Sequence, residues 1–331
     1  METVGRGIAR TNNVPREGKS SVKATAVLLV RLGLAVITMV VAYSLGSLVM
    51  GNASVPMTQE ETSQAAMGLF IVAAASALVL SVLVLRSRWN GLRLIGAVMV
   101  VHFGVETFMT QIETFYFNRA VQMESDMFLG IVAAGAVRAV VFAPLAVLIL
   151  GKIKRRGGSR ERMAGRLSSR WTRRFAALTV LYVVVYFLFG YFVAWQWEDV
   201  RLYYTGTGAI KPFFAHFRHL FLRDDPLIVP FQLLRGALWT ALALLMVGMA
   251  RFKRWSAALV VGSVFVVLIA VPLGLFPNPY MPPGVRQAHF YELVSSMLVY
   301  GGVAGWVLQG PRRGAADAQP AGPAQPIHRD T

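Results

Sequence analysis

No cysteine occurs among the 331 residues, which excludes disulfides, Cys-ligated zinc, iron–sulfur clusters and thiol nucleophiles together. Charge is also scarce: Asp, Glu, Lys and Arg make up 15% of the chain against 56% hydrophobic residues, a balance too apolar for an ordinary soluble protein. There is no H-E-x-x-H, no P-loop, no G-x-S-x-G and no paired-aspartate signature, so no motif names a hydrolase or a nucleotide chemistry. Gly157 and Gly158 fall in a basic loop without a preceding strand and make no phosphate cradle. The class that remains is an all-α polytopic integral membrane protein.

Eight apolar runs are long enough to span, at about 24–50, 65–85, 94–117, 127–150, 175–195, 227–250, 257–276 and 285–308. A basic arm, 1–23, and a low-complexity tail, 309–331, flank them and are expected to be disordered on the cytoplasmic side. The first run far exceeds a signal-peptide core of about 7–15 residues, so it reads as an uncleaved signal anchor with Arg31 snorkelling to the interface. In the long loop between the fifth and sixth runs, Phe213, Phe214, Phe217, Leu220 and Phe221 recur at helical spacing, while Lys211, His216, Arg218 and His219 fall elsewhere. That pattern predicts a short amphipathic helix in the outer interface, with both histidines on its solvated face.

The net charge of +17 follows topology rather than a nucleic-acid surface. With both termini inside, cytoplasmic segments collect 25 of the 33 Lys and Arg, six lie outside, and Arg138 and Arg235 remain at depth. The loop 152–174 holds ten of these basic residues against one acid, and its expected partner beyond the bilayer itself is anionic lipid head groups. Arginine outnumbers lysine, and Ala, Val and Gly are abundant, a composition that suggests a GC-rich bacterial gene and hence an inner-membrane location.

The third run, LIGAVMVVHFGVETFMTQIETFYF, organises the reading because it is apolar yet carries His102, Glu106, Thr110 and Glu113. On an ideal helix these four fall within about 80° of arc. An ionisable side chain in hydrocarbon must face a protein interior or a wet cavity and find partners there. Counting about 1.5 Å per residue puts Glu106 and Arg138 at comparable depths, able to pair. Arg235 and Glu292 both fall in the outer third, with His289 above and Glu113 at a similar level. The predicted candidate site is therefore an outward-opening polar cluster of His102, Glu106, Thr110, Glu113, Arg138, Arg235, His289 and Glu292, on the third, fourth, sixth and eighth spans.

Three functions fit such a cluster. The leading one is a small-solute or proton-coupled transporter, with a His and Glu ladder as proton relay and an arginine holding an anionic group. The second is an outward-facing membrane enzyme: His102 and Glu106, and His289 and Glu292, stand one turn apart, a spacing that can present metal ligands or an acid and base pair. The third is a scaffold or sensor whose charges only lock helices. The residues name no cofactor, substrate or oligomeric state. Two internal matches compete: 88–101 with 254–267, which would make spans one to four and five to eight parallel repeats, and the segment from Arg138 with that from Arg235, in a different register.

Overall fold

The computed structural model describes residues 17–50, 58–154, 169–276 and 280–310. Residues 1–16 of the expected arm, 311–331 of the tail and 155–168 of the basic loop lie outside the described residues, while 17–23, expected as part of a disordered arm, begin the helix Glu17–Met50. Among the described residues eight helices are long and apolar enough to cross a membrane: Val22–Met50, Thr62–Arg86, Gly91–Tyr116, Ser125–Ile149, Arg170–Gln196, Ile228–Met249, Arg254–Leu275 and Pro283–Gln309. No strand longer than an isolated bridge occurs among the described residues. This is an all-α multi-pass membrane protein, in which helices satisfy their own backbone groups where water cannot.

The packing has a pseudo-twofold plan. The first span packs on the second and fourth, and the third on the fourth; the fifth packs on the sixth and eighth, and the seventh on the eighth. The halves meet through the second span on the seventh and the third on the sixth, contacts that exchange when the halves are swapped. The short connections Ser87–Asn90 and Ala250–Lys253 touch at the end of the bundle where the first span begins and the eighth ends. Ser87 forms an antiparallel bridge with Ala250, and the flanking bonds are reciprocal: Arg88 N–H donates to the Met249 carbonyl at 2.8 Å, and Arg251 N–H to the Arg86 carbonyl at 3.0 Å. Ser87 Oγ adds a bond to the Met249 carbonyl at 3.0 Å and Lys152 Nζ one to the Ser87 carbonyl at 2.9 Å. Met249 and Ala250 are fully buried, so this end is sealed.

These reciprocal bonds equate 86–88 with 249–251, and the third and seventh spans begin at Gly91 and Arg254 with the same offset. The match of 88–101 with 254–267 thus joins the right spans but is slid by about one helical turn. Apolar helices of small and branched residues match nearly as well when displaced by a turn, because the same face is then superposed. The rival register, fourth span on sixth, has no such reciprocal bonds.

Small residues set the closest approaches. A side chain at Gly135 would collide with Thr107, and one at Gly46 would press on the Ala134 carbonyl and the Arg138 stem. Without side chains at these points the first, third and fourth spans draw together around Arg138. Gly301 on Gly262 and Gly305 on Ala257 play the same part between the seventh and eighth spans.

Candidate functional site

Inside the third span the helix slips. Gly104–Phe108 forms one π-type turn, closed by Met109 N–H donating to the Gly104 carbonyl. Gly104 lets Leu242 of the sixth span approach where a β-carbon would stand 2.8 Å from it. Such a turn leaves carbonyls without their α-helical donors; Thr110 Oγ1 donates to those of Glu106 and Thr107, each at 2.9 Å. Thr110 lines the cavity described below, yet its recorded hydrogen bonds go to its own helix rather than to the charged side chains.

Within that turn, Glu106 gathers partners from three spans. Tyr43 Oη donates to Glu106 Oε1 at 2.6 Å, Arg138 Nε lies 3.4 Å from the same oxygen, and His102 Nε2 stands 2.7 Å from Oε2. The His102 contact is off the hydrogen-bond direction, and the ring's Nδ1 has no hydrogen-bond partner. Arg138 also reaches Thr107 Oγ1 at 3.4 Å and lies 4.9 Å over the Tyr43 ring. The phenol supplies the directed bond to this carboxylate, while the guanidinium at 3.4 Å and the imidazole at 2.7 Å stand beside it without an aligned hydrogen bond and act through charge and close contact.

The second constellation departs from the sequence reading. Arg235 is held not by Glu292 but by Glu113, in a two-pronged pair: Nη1 to Oε1 at 2.6 Å and Nη2 to Oε2 at 2.5 Å. Gln232 Oε1 accepts a further bond at 3.1 Å, and the rings of Tyr182, Tyr186 and Phe231 each lie 5.8 Å from the guanidinium. Arg235 is 3% exposed and Glu113 31%, so the arginine sits in the wall and the carboxylate in the opening. Depth counted along separate helices could not choose between two carboxylates at one level; the rotation of Glu113 beyond the π-type turn does.

Glu292 instead pairs with His289 on its own helix, Oε2 to Nδ1 at 2.8 Å, and Tyr204 Oη lies 3.2 Å from Nε2 of the same ring. A carboxylate–imidazole–phenol chain results. Tyr204 comes from the short helix Glu198–Thr205 in the loop between the fifth and sixth spans. Burial pushes its phenol well above the usual range, reinforced by the negative charges of Glu113 and Glu292.

These groups border one cavity of about 1780 Å³, which receives Glu106, Glu113, Arg235, His289 and Glu292 and is bounded by loop residues at the end opposite the sealed one. Its walls are rich in aromatic side chains. Gln111 Oε1 and Tyr182 Oη, both buried residues of the lining, have no hydrogen-bond partner. Seven of the eight residues singled out in the sequence thus fall in three neighbouring groups, tied at Glu106, Arg235 and His289, and Thr110 bonds only its own helix. Among the described residues no three His, Asp or Glu side chains converge as metal ligands, and His102 with Glu106 stands apart from His289 with Glu292.

No family model, no curated protein and no solved structure matches the chain.

Over the cavity mouth lies the helix Phe213–His219, continued by a π-type turn to Asp224. Phe213 and Phe217 pack edge-on to Tyr191 and Phe187 of the fifth span, at 5.1 and 5.2 Å. Phe214, assigned by spacing to the same face, is 85% exposed, because a seven-residue helix can seat only the residues aligned over one neighbour. His216 is half-buried, packing 5.5 Å from Tyr191 and 4.8 Å from Trp195. That burial, with Lys211 nearby, lowers its pKa. His219 pairs with Asp224 at 2.6 Å on the partly exposed side.

Sequence reasoning passed over Tyr43, Thr107, Gln111, Gln232 and Tyr204. Tyr43 and Gln232 were findable as polar atoms within apolar spans. Tyr204 carried no local signal, since only the folded loop brings it to His289.

Proposed function

We propose that this protein is a proton-coupled permease for a small solute, set in a bacterial inner membrane with both termini cytoplasmic, and that its substrate path is the cavity bordered by Glu106, Glu113, Arg235, His289 and Glu292. One observation carries the reading: a volume far larger than side-chain packing leaves by chance, lined by ionisable groups at membrane depth, is bounded by outer-loop residues at one end and stops at the other against the packed apolar core, beyond which the backbone bridge ties the two halves. A chain of two pseudo-equivalent halves, meeting at a site near mid-membrane, suits alternating access, in which the halves rock about that site.

In this reading the sealed state faces outward. Passage to the inward state parts Ser87 from Ala250 and transfers the reciprocal bonds of Arg88 and Arg251 to water. The relay is assigned to His289 and Glu292 rather than to Glu106, because Glu106 is already neutralised by Arg138, whereas His289 and Tyr204 are the partners Glu292 can share a proton with.

Since the native chain has no cysteine, single replacements report directly. Ala250→Cys, buried in the sealed state, is expected to react with a membrane-impermeant maleimide from the terminal side, at a rate that rises when a proton gradient is imposed in proteoliposomes. A rate of zero under every gradient, in protein whose Glu198→Cys control is labelled from the opposite side, overturns the permease reading. The second reading, a membrane enzyme, draws on the Tyr204–His289–Glu292 chain, which resembles the orientation of a general base by a carboxylate. It is favoured instead if Tyr204→Phe abolishes turnover of a substrate that is chemically changed rather than moved.

A further inference from the structure

Arg235 spends its charge on Glu113, and this changes the balance at depth. Three carboxylates, Glu106, Glu113 and Glu292, face two guanidinium groups, Arg138 and Arg235, each already engaged. Counting only the permanently charged groups, one negative charge is left without a permanent counter-charge, and it falls on Glu292, because Arg138 stands against Glu106 and Arg235 against Glu113. The recorded ion-pair partner of Glu292 is His289. Charge in a low-dielectric site demands either a proton or a cation there.

The surroundings favour a cation with an apolar body. Resident cations of this bundle already lie over ring faces: Arg138 over Tyr43, and Arg235 among Tyr182, Tyr186 and Phe231. Beside Glu292 stand further aromatic walls, Tyr204 with its edge toward Phe117 among them. A ring face attracts an organic ammonium or phosphonium and repels an anion. Gln111 Oε1, buried in the same lining and without a donor, is an acceptor waiting for an N–H or a polarised C–H. The mouth carries Arg119 and Lys211 of the loops, where water and salt screen them, against Asp224 and Asp225, and Arg286 in the first turn of the eighth span, whose Nη1 donates to the Phe276 carbonyl at 3.0 Å.

We infer that the cavity takes a monovalent organic cation with an apolar body, held by Glu292, and that the cation and a proton on the His289–Glu292 pair exclude one another. This rests on the permease reading for its consequence, exchange of the cation for a proton, but not for the binding itself. The groups that face the pair are Tyr204 from the outer loop, Glu113 from the third span and Tyr186 from the fifth, with Arg235 of the sixth held by Glu113; the seventh span presents apolar Leu268, Pro272 and Leu273 to the cavity. None of these supplies a free positive charge.

The test uses a matched pair of probes, tetraphenylphosphonium and tetraphenylborate, with detergent-purified full-length protein in equilibrium dialysis. Tetraphenylphosphonium is expected to bind saturably at pH 8, at least tenfold more weakly at pH 5.5, and at least tenfold more weakly in Glu292→Gln, while Glu292→Asp keeps part of the affinity. In weak buffer near pH 6, binding to the native protein is expected to release up to one proton per cation, a readout that holds even if Glu292→Gln fails to fold. Tetraphenylborate binding in place of the cation, equal affinity in folded Glu292→Gln, or binding without pH dependence overturns the inference. In proteoliposomes, a cation gradient that drives an internal pH change supports both readings. Glu292-dependent binding with no such change keeps the binding site and removes the permease.

Discussion

Replacing Arg138 with leucine isolates the electrostatic part of the Glu106 cluster. Removing one partner of a buried ion pair costs about 3–5 kcal/mol, because the remaining charge is left without compensation. The lower end applies here: Glu106 keeps the Tyr43 hydroxyl at 2.6 Å and the His102 ring at 2.7 Å, and the Arg138 side chain is 15% exposed, so some water reaches it. Arg138→Leu is therefore expected to lose about 3 kcal/mol. In Arg138→Leu with Glu106→Leu the orphaned carboxylate is gone, and the remaining cost is the unmet hydroxyl of Tyr43, about 1 kcal/mol. The double variant should thus be about 2 kcal/mol more stable than Arg138→Leu alone. Reversible unfolding in mixed micelles, titrated with dodecyl sulfate and followed by helical circular dichroism, measures all members of the cycle. Strictly additive losses would mean that Arg138 and Glu106 do not interact, and the charge balance drawn for the cavity would lose its first pair.

Other perturbations address the gate, the lid and the packing. The reciprocal bonds make Ser87 and Ala250 a non-hydrogen-bonded antiparallel pair, whose α-carbons in such a ladder stand about 4.5 Å apart; that suits a disulfide, so Ser87→Cys with Ala250→Cys should close under oxidant, stop solute movement and recover with reductant, and activity unaffected by complete closure would rule out parting of this bridge. His216 has its pKa depressed by burial, so the undocked helix takes up a proton before the docked one: docking is intact above about pH 6.5 and is lost as pH falls toward the folded value. Hydrogen exchange of 213–219 should accelerate at pH 5.5 relative to its intrinsic rate, and His216→Phe should remove that acceleration; equal behaviour of the two proteins would refute it. Gly135→Val drives a side chain into Thr107 and should destabilise by about 1–3 kcal/mol, read in the same micelle titration, with no loss expected at Gly96→Val, where nothing stands nearby.

How much of this was legible beforehand depended on whether one helix or several decided it. Hydrophobic runs are a property of single helices, so the eight spans emerged from the sequence with ends a few residues from those observed. Pairing is a property of two helices and their rotations. Arg138 could be matched to Glu106 because a short loop joins their spans and fixes their relative depth. Arg235 had two carboxylates at its level, and the choice turned on a helical slip that Gly104 permits but does not announce. Phe214 was grouped by spacing with Phe213 and Phe217, yet on so short a helix the neighbour's outline, the fifth span's aromatic ridge, decides which rings are seated on it. Tyr204 belongs to a loop, where no periodicity indicates direction.

The same slip explains how a nearly symmetric frame comes to hold an asymmetric site. With Gly91 equated to Arg254, His102 corresponds to Phe265, which packs on Trp239 in the apolar core. Beyond Gly104 the third span carries one extra residue per turn for a single turn, so Glu106 falls opposite Leu268 or Ile269, apolar residues that line the other wall of the cavity. An inserted residue rotates everything after it by about 100° relative to an unbroken helix, and it is in that rotated segment that Glu113 meets Arg235. Two like halves would otherwise place like groups about the axis, and like charges there repel. Introducing the slip in one half only lets the third span direct Glu106 toward the first and fourth spans and Glu113 toward the sixth, leaving Glu292 of the eighth as the carboxylate that a mobile charge can share.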